Sequence, residues 1–428
     1  MTINELIKII KGESILDSNV KVKCIKTDTR KVQKGDIFIA LKGNNYDGHD
    51  YVEEAINKGC IACIVDRDID NSKCIKVNDT YECLYDIGKY IRNKYNIPLI
   101  AITGSNGKTT TKELIVHILK NKYNVLYNKD SKNNIIGVSD TLFNLNNNYD
   151  LIVMELGSNH IGEISTLSNM CNPTTSIITN IGSSHLEYFK TKKNIFKEKL
   201  SIIDGMKDIN LLINGDNKYL KKLNFYKCGI NKNNNLIAYN IISNNNFITF
   251  NIKLDKEYKV VFNNPGKHFI SDILLAIKVC LDYNMNINDI LERISTFKLS
   301  LNRMNLVNIN SNKIIIDCYN SSYESIKGGI NYLKNIKNNK LLIIGDILEL
   351  GKHSKKIHKK INIEIKKLKN YNVLTLGNYS KYIKGKHFNT KEDLINYLKD
   401  YKIINSYIYI KGSRALKLED LVKCFFDK

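Results

Sequence analysis

Apolar positions along the chain fall into two rhythms. Short apolar runs at residues 37–41, 61–65, 99–103, 151–155, 176–179, 211–213, 314–316, 341–344, 373–376 and 407–410 predict strands, and a weaker pattern at 20–27 predicts one more. Other segments repeat apolar residues at every third or fourth position, which predicts helices over 51–58, 109–120, 269–282, 325–333, 354–368 and 391–398. Strands alternating with helices build a parallel sheet with crossover helices. Residues 231–262 break that rhythm. They alternate apolar and polar and are rich in Asn, which predicts antiparallel hairpins at a sheet edge. No fixed-period repeat is present.

Punctuation divides the pattern into three blocks. A polar stretch at 92–96 and Pro98 close the first, and the third opens near Leu299. The expected fold class is α/β in three domains: a small mixed α/β N-terminal domain over 1–95, a central P-loop ATPase-like parallel-sheet domain over 96–298, and a C-terminal Rossmann-like, doubly wound domain over 299–428.

Composition changes this picture little. A chain of 428 residues can bury its cores without disulfide or metal staples. The net charge of +22 suits a polyanionic partner. Lysines are scattered rather than gathered in a stripe, so a nucleotide substrate is favoured over nucleic acid. The ten Cys show no framework spacing, and Cys60 and Cys63 sit where a buried strand begins, as small hydrophobes. Free thiols in this number predict a reducing, cytoplasmic setting. The N-terminus is amphipathic and unlike a signal peptide, and no apolar run reaches membrane-spanning length, so no membrane insertion is expected. A monomer is expected.

The chemistry concentrates in Thr103-Gly104-Ser105-Asn106-Gly107-Lys108-Thr109-Thr110-Thr111, between a predicted strand and a predicted helix. Glycines there let successive N–H groups turn inward, and the helix N-terminus adds its own. Phosphate oxygens fit that cradle. Lys108 would neutralise the β/γ oxygens, and the Thr109 hydroxyl would ligate magnesium. The form is the short G-x-x-G-K-T, with Ile102 where the longer motif has its first glycine.

This loop resembles that of the Mur ligase family, T-G-[ST]-N-G-K-T-T. The resemblance extends along nearly the whole chain. The run from Asp28-Thr29-Arg30 to Leu41-Lys42-Gly43 looks like a uridine-nucleotide domain of that family, and Asp47-Gly48-His49-Asp50 continues it. Glu155-Leu156-Gly157-Ser158-Asn159-His160, Asn180-Ile181-Gly182-Ser183-Ser184-His185, Asp317-Cys318-Tyr319-Asn320-Ser321-Ser322-Tyr323-Glu324-Ser325, Gly345-Asp346-Ile347-Leu348-Glu349 and Lys411-Gly412-Ser413-Arg414 resemble the branch that adds D-alanyl-D-alanine. The third of these is similar to D-x-Y-N-A-N-P-x-S.

The resemblance implies an ADP-forming amide ligase of peptidoglycan precursor synthesis. Its partners would be ATP, UDP-N-acetylmuramoyl-tripeptide and D-alanyl-D-alanine. A substrate carboxylate would take the γ-phosphoryl group, and an amine would displace phosphate from the resulting acyl phosphate. Gly104, Ser105, Asn106, Gly107, Lys108, Thr109, Thr110, Asn134, Arg303 and Asp317 would bind ATP, with Arg303 on the phosphates and Asp317 on the ribose. Asp28, Thr29, Arg30 and Asn320 would bind the acceptor substrates. Two magnesium ions are implied, held by Thr109, Glu155, His185 and Lys199. Lys199 would be carbamylated, and Lys197 is its competitor in the helical register. Catalysis would fall to Lys108, Lys199, His185 and Glu155. Asp272 stands where the family commonly has Asn at the adenine side, and an ionised carboxylate cannot donate as an amide does. Three alternatives stay open. One is a sister ligase of the family adding a single amino acid. Another is a folylpolyglutamate synthase, against which the run 28–43 argues. The third is a basic nucleotide-hydrolysing or nucleic-acid-binding protein.

Overall fold

The computed structural model describes residues 1–426. The chain packs as two compact units: residues 1–103, 122–177 and 198–211 form the first, and residues 104–121, 178–197 and 212 onward the second.

The first unit opens with the helix Ile3–Ile10. Thr2 and Glu5 cap it reciprocally, each side chain accepting from the other's backbone N–H. Strands β1 (Ile25–Lys26), β2 (Ile37–Ile39), β3 (Ala62–Val65) and β4 (Cys74–Lys76) follow in spatial order 1-2-3-4, all parallel. The strand expected over 20–27 shrinks to β1. The helix Thr80–Lys94, capped by Asp79, packs Cys83, Leu84 and Ile87 against Leu6, Ile37, Ile39 and Ile64. It runs into the polar stretch expected to be a break. Arg92 turns inward, its guanidinium donating to the carbonyls of Cys171 at 2.7 Å and Tyr95 at 2.8 Å, so a polar residue ends a buried helix at little cost. Strands β5 (Leu99–Thr103), β6 (Val125–Tyr127) and β7 (Leu151–Glu155) then form a parallel ladder in order 5-7-6, with Ile102 opposite Glu155. Both β5 and β7 are buried along their whole length, as parallel strands covered on two faces require. Strand β8 (Thr175–Ile178) leads out of this unit.

In the second unit the helix Lys108–Leu119 begins at the phosphate loop. Strands β9 (Leu211–Asn214), β10 (Tyr226–Gly229) and β11 (Leu236–Ile237) are parallel neighbours. The antiparallel segment is a three-stranded sheet of its own, β12 (Tyr239–Ser243), β13 (Ile248–Lys253) and β14 (Glu257–Phe262), rather than an edge hairpin. The left-handed Asn240 and a register slip between Tyr239 and Ile242 mark its start. The helix Phe269–Asp282 is buried on nearly every side.

The third block is one six-stranded sheet: β15 (Asn305–Ile309), β16 (Asn312–Ile316), β17 (Asn339–Gly345), β18 (Tyr371–Leu376), β19 (Lys386–Phe388) and β20 (Ser406–Lys411), in order 15-16-20-17-18-19. Only β15 pairs antiparallel, so the Rossmann-like reading holds with a reversed edge strand. Strand ends that carry loops are where such sheets place ligands.

Candidate active site

The phosphate loop joins β5 to the helix Lys108–Leu119. Gly104 has φ +146°, and a Cβ there would come within 2.1 Å of Thr179 Oγ1. Gly107 has φ +85°, and a Cβ there would meet Asp272 Oδ1 at 2.6 Å. Both conformation and space therefore require glycine. Ser105 N donates to Asn180 O at 2.9 Å, and Thr179 Oγ1 donates to Asn106 O at 2.5 Å, so residues 179–180 hold the loop from behind. Lys108 Nζ donates to Gly104 O at 2.9 Å, folding back over the loop it serves. Thr109 and Thr110 are buried at the helix start.

Beneath the loop lies Asp272. Burial pushes its carboxyl well above the usual carboxylate range, against smaller opposing effects of the Thr111 hydroxyl and the Arg303 guanidinium. In its protonated form a carboxyl can donate a hydrogen bond, as an amide does.

Arg303 lies flat on the ring of Tyr319, its guanidinium carbon 3.9 Å from the ring centroid. Its buried Nε and the buried Nδ2 of Asn106 have no hydrogen-bond partner among the described residues. Orphaned donors beside a glycine cradle fit an anionic, hydrogen-bonding ligand such as a nucleotide. Asp317 Oδ2 receives Lys411 Nζ at 2.8 Å and the Tyr409 hydroxyl at 3.1 Å. Lys411 Nζ also donates to the carbonyls of Asp317 and Asn320, fixing that turn. The side chain of Asn320 accepts from Ser321 N at 2.7 Å on an exposed turn.

His185 stands on a strained backbone, φ +57°. Its Nδ1 lies 2.5 Å from Glu349 Oε2. That contact holds the Glu349 carboxyl below the usual range. An imidazole fixed through one nitrogen presents the other, which is the arrangement of a metal-ligating histidine.

In the first unit, Glu155 ends β7 with its side chain buried, and Asn133 Nδ2 donates to its Oε1 at 2.7 Å. Asn134, the other member of the pair, caps the helix Ile135–Leu142 through Gly137 N. Asn134 also lines a cavity of about 260 Å³ together with Lys26, Thr27, Asp28, Lys31 and Lys132. Structure thus brings Asn134 beside Asp28, whereas the resemblance gave these two residues to different ligands. Arg30 pairs with Asp28 through two 2.9 Å bonds and is otherwise exposed, and this pairing lowers the Asp28 carboxyl. Thr29 is buried in the same turn, and its carbonyl accepts from Lys58 Nζ.

Lys199 is buried, 2% exposed, and donates from Nζ to Ser158 Oγ at 2.7 Å, whereas Lys197 on the same helix is exposed. The neighbouring Glu198 receives the N–H groups of Gly162 at 2.7 Å and Ile164 at 2.9 Å, which ties the Lys199 helix to the loop after β7. Among the described residues no three His, Cys, Asp or Glu side chains gather as a ready metal centre. Magnesium takes few protein ligands and completes its shell with phosphate oxygens and water, so a sparse donor set fits it. Sequence reasoning missed Ser158, Glu349 and the lysines at 26, 31 and 132. Ser158, Lys31 and Glu349 lay inside recognised motifs, but their parts became visible only through their contacts.

A phosphate loop on a parallel α/β frame, followed by a Rossmann-like block, defines a nucleotide-dependent enzyme of the P-loop class. Comparison with known proteins narrows this. A profile of the Mur ligase middle domain matches residues 102–280, and one described as Mur ligase family, catalytic domain, matches residues 21–89. The chain is 34% identical to a UDP-N-acetylmuramoyl-tripeptide–D-alanyl-D-alanine ligase of Buchnera aphidicola subsp. Baizongia pistaciae, with 95% of this chain and 92% of that protein covered. The ligase of the same description from Escherichia coli K12 is 29% identical, with 99% and 98% covered. A crystal structure of MurF from Acinetobacter baumannii superposes with a TM-score of 0.92 at 27% identity, covering 100% of this chain and 99% of that one. A UDP-N-acetylmuramoyl-L-alanyl-D-glutamate–2,6-diaminopimelate ligase shares the fold at a TM-score of 0.58 and 14% identity. The chain belongs to the Mur ligase family.

Proposed function

We propose that this enzyme joins D-alanyl-D-alanine to UDP-N-acetylmuramoyl-tripeptide, forming an amide bond at the expense of ATP in peptidoglycan precursor synthesis. One observation carries the reading: end-to-end kinship with ligases of that printed activity, 34% identical over 95% of this chain in the Buchnera case.

The chemistry follows from charge. The tripeptide's terminal carboxylate attacks the γ-phosphorus, the bond to the β-phosphate oxygen breaks, and ADP leaves. The amine of D-alanyl-D-alanine then attacks the acyl carbon. Phosphate departs and the nitrogen gives up a proton. Lys108 and the inward N–H groups of residues 104–109 hold the phosphoryl oxygens, and Arg303 adds a cation. Asp317 takes the ribose, and Asn320 lies on the acceptor side. Magnesium, when bound, would neutralise phosphate charge, and Thr109, Glu155, His185 and Lys199 are the residues to hold it. Asp28, Thr29 and Arg30 with the basic cavity of Lys26, Lys31 and Lys132 suit the uridine diphosphate, and Asn134 sides with them or with ATP according to which ligand reaches it. With domain limits of 1–95, 96–298 and 299–428, the first block takes the UDP precursor, the second ATP, and the third is the ligase domain that also lends Arg303 and Asp317 to the nucleotide. Ten free thiols support a reducing, cytoplasmic setting. No helix among the described residues is long and apolar enough to cross a membrane. The enzyme acts as a monomer.

Phosphate release should require ATP, the UDP-tripeptide and D-alanyl-D-alanine together. A single amino acid such as lysine serving better than the dipeptide would move the enzyme to the sister branch that extends the precursor by one residue.

A further inference from the structure

The first turn of the helix Tyr323–Leu333 carries a carboxylate that none of the roles above uses. Glu324 Oε2 accepts from Ser183 Oγ at 2.6 Å and Ser183 N at 3.1 Å, and Oε1 accepts from Lys192 Nζ at 2.8 Å. The group is tightly seated, since a Cβ on Gly182 would come within 3.2 Å of its carboxyl carbon. Burial pushes the carboxyl up, but Lys192 and the bonds from Ser183 outweigh it and leave it below the usual range.

Two residues earlier, Ser322 caps the same helix and donates from Oγ to Asn106 Oδ1 at 2.9 Å. On the other side Gly182 N donates to Ser105 Oγ at 2.8 Å, and Ser184 Oγ to Ser105 O at 3.3 Å. These links close a circuit within the second unit. It runs from Ser105 in the phosphate loop to residues 182–184, through Glu324 to the helix start, and back through Ser322 to Asn106. His185 follows directly on one side of the circuit, and the turn of Asp317 and Asn320 precedes it on the other. In D-x-Y-N-A-N-P-x-S the position of Glu324 is an open one.

We propose that Glu324 is a positioning residue of the ligation reaction: held by Ser183 and Lys192, it pins residues 317–325 against the phosphate loop and keeps the nucleotide-side groups at working distance. This rests on the reading of that loop as the ATP site. An acid in a helix's first turn also favours the helix dipole, but that role uses neither Ser183 nor Lys192.

The test separates the two. Glu324→Ala should raise KM for ATP about tenfold and lower kcat less, with the unfolding temperature of the nucleotide-free protein within a few degrees of wild type. Lys192→Ala should act in the same direction but more weakly, and the double variant should be no worse than Glu324→Ala alone. Wild-type KM and kcat in Glu324→Ala, or full additivity with Lys192→Ala, would overturn the proposal. Should Glu324→Ala fail to fold, Glu324→Gln keeps an acceptor for Ser183 and removes only the ion pair. It should raise KM roughly threefold, and unchanged constants in both Glu324→Gln and Lys192→Ala would overturn the proposal equally. Lys108→Ala serves as the control, because unaltered ATP kinetics there would sink the ATP-site reading itself rather than the part given to Glu324.

Discussion

Glu349 Oε2 and His185 Nδ1 approach to 2.5 Å across a long stretch of sequence, and both residues hold left-handed backbone, φ +59° and +57°. Two strained non-glycine residues in one contact are a cost that the surrounding structure must offset. Glu187 N donates to Glu349 O at 2.9 Å, so backbone as well as side chains fix the pair. A carboxylate this close to Nδ1 orients the imidazole and leaves Nε2 on the other side of the ring for a ligand.

Glu349→Gln should therefore act like a weakened His185. We expect kcat/KM to fall roughly 10- to 100-fold and the magnesium requirement to shift to higher concentration. Phosphate release measured over a magnesium titration reads both. A variant with the wild-type titration curve would place Glu349 outside the site.

Asp272 gives a pH prediction with a definite sign. Its folded-state carboxyl titrates well above 3.8, because burial disfavours the anion. The stability it contributes is present below the unfolded value and is lost as pH rises through the folded value. Asp272→Asn removes that titration and keeps the shape. The variant should match wild type near pH 3.8 and unfold a few degrees higher than wild type at neutral pH. Thermal unfolding followed across this range checks it, and a gap that narrows with rising pH would show that Asp272 is ionised at no cost.

How much of this was readable in advance depends on whether the signal was local. Strands β5 and β7 and the helix Phe269–Asp282 stand at their expected bounds, because each is a dense apolar run closed by polar or glycine punctuation. The helix Ile287–Thr296 escaped notice, since Ile290 and Ile294 are its only fully buried residues and its four apolar positions are interleaved with polar ones over a short span. The phosphate loop was legible because its chemistry is contiguous. Glu324 was not, since its meaning lies in Ser183, 141 residues away, and no pattern within one helix reports such a contact. Asn133 and Asn134 show the same limit. Adjacent in sequence, they serve different neighbours, one turned to Glu155 and the other to the cavity beside Asp28.

Lys199 carries the prediction with most at stake. Its Nζ is buried and donates to Ser158 Oγ at 2.7 Å. The neutral form of a lysine amine is the one that takes up carbon dioxide, giving a carbamate and a proton. The product is an anion where the free side chain is a cation, and only the anion suits the magnesium-holding role proposed for this residue. Turnover in Lys199→Ala should fall by a factor on the order of 10³. Short carboxylic acids such as acetate should restore part of it by supplying the missing oxygens, and they should do nothing for Lys197→Ala, whose side chain faces solvent. Wild-type activity should decline in buffer stripped of carbon dioxide at mildly acid pH and return when bicarbonate is added. Enzyme equilibrated with ¹³C-labelled carbon dioxide should show a carbamate resonance that Lys199→Ala lacks. Were that resonance absent from wild type, with activity indifferent to carbon dioxide, Lys199 would be an ordinary ammonium hydrogen-bonded to Ser158, and the second magnesium would need another anion to hold it.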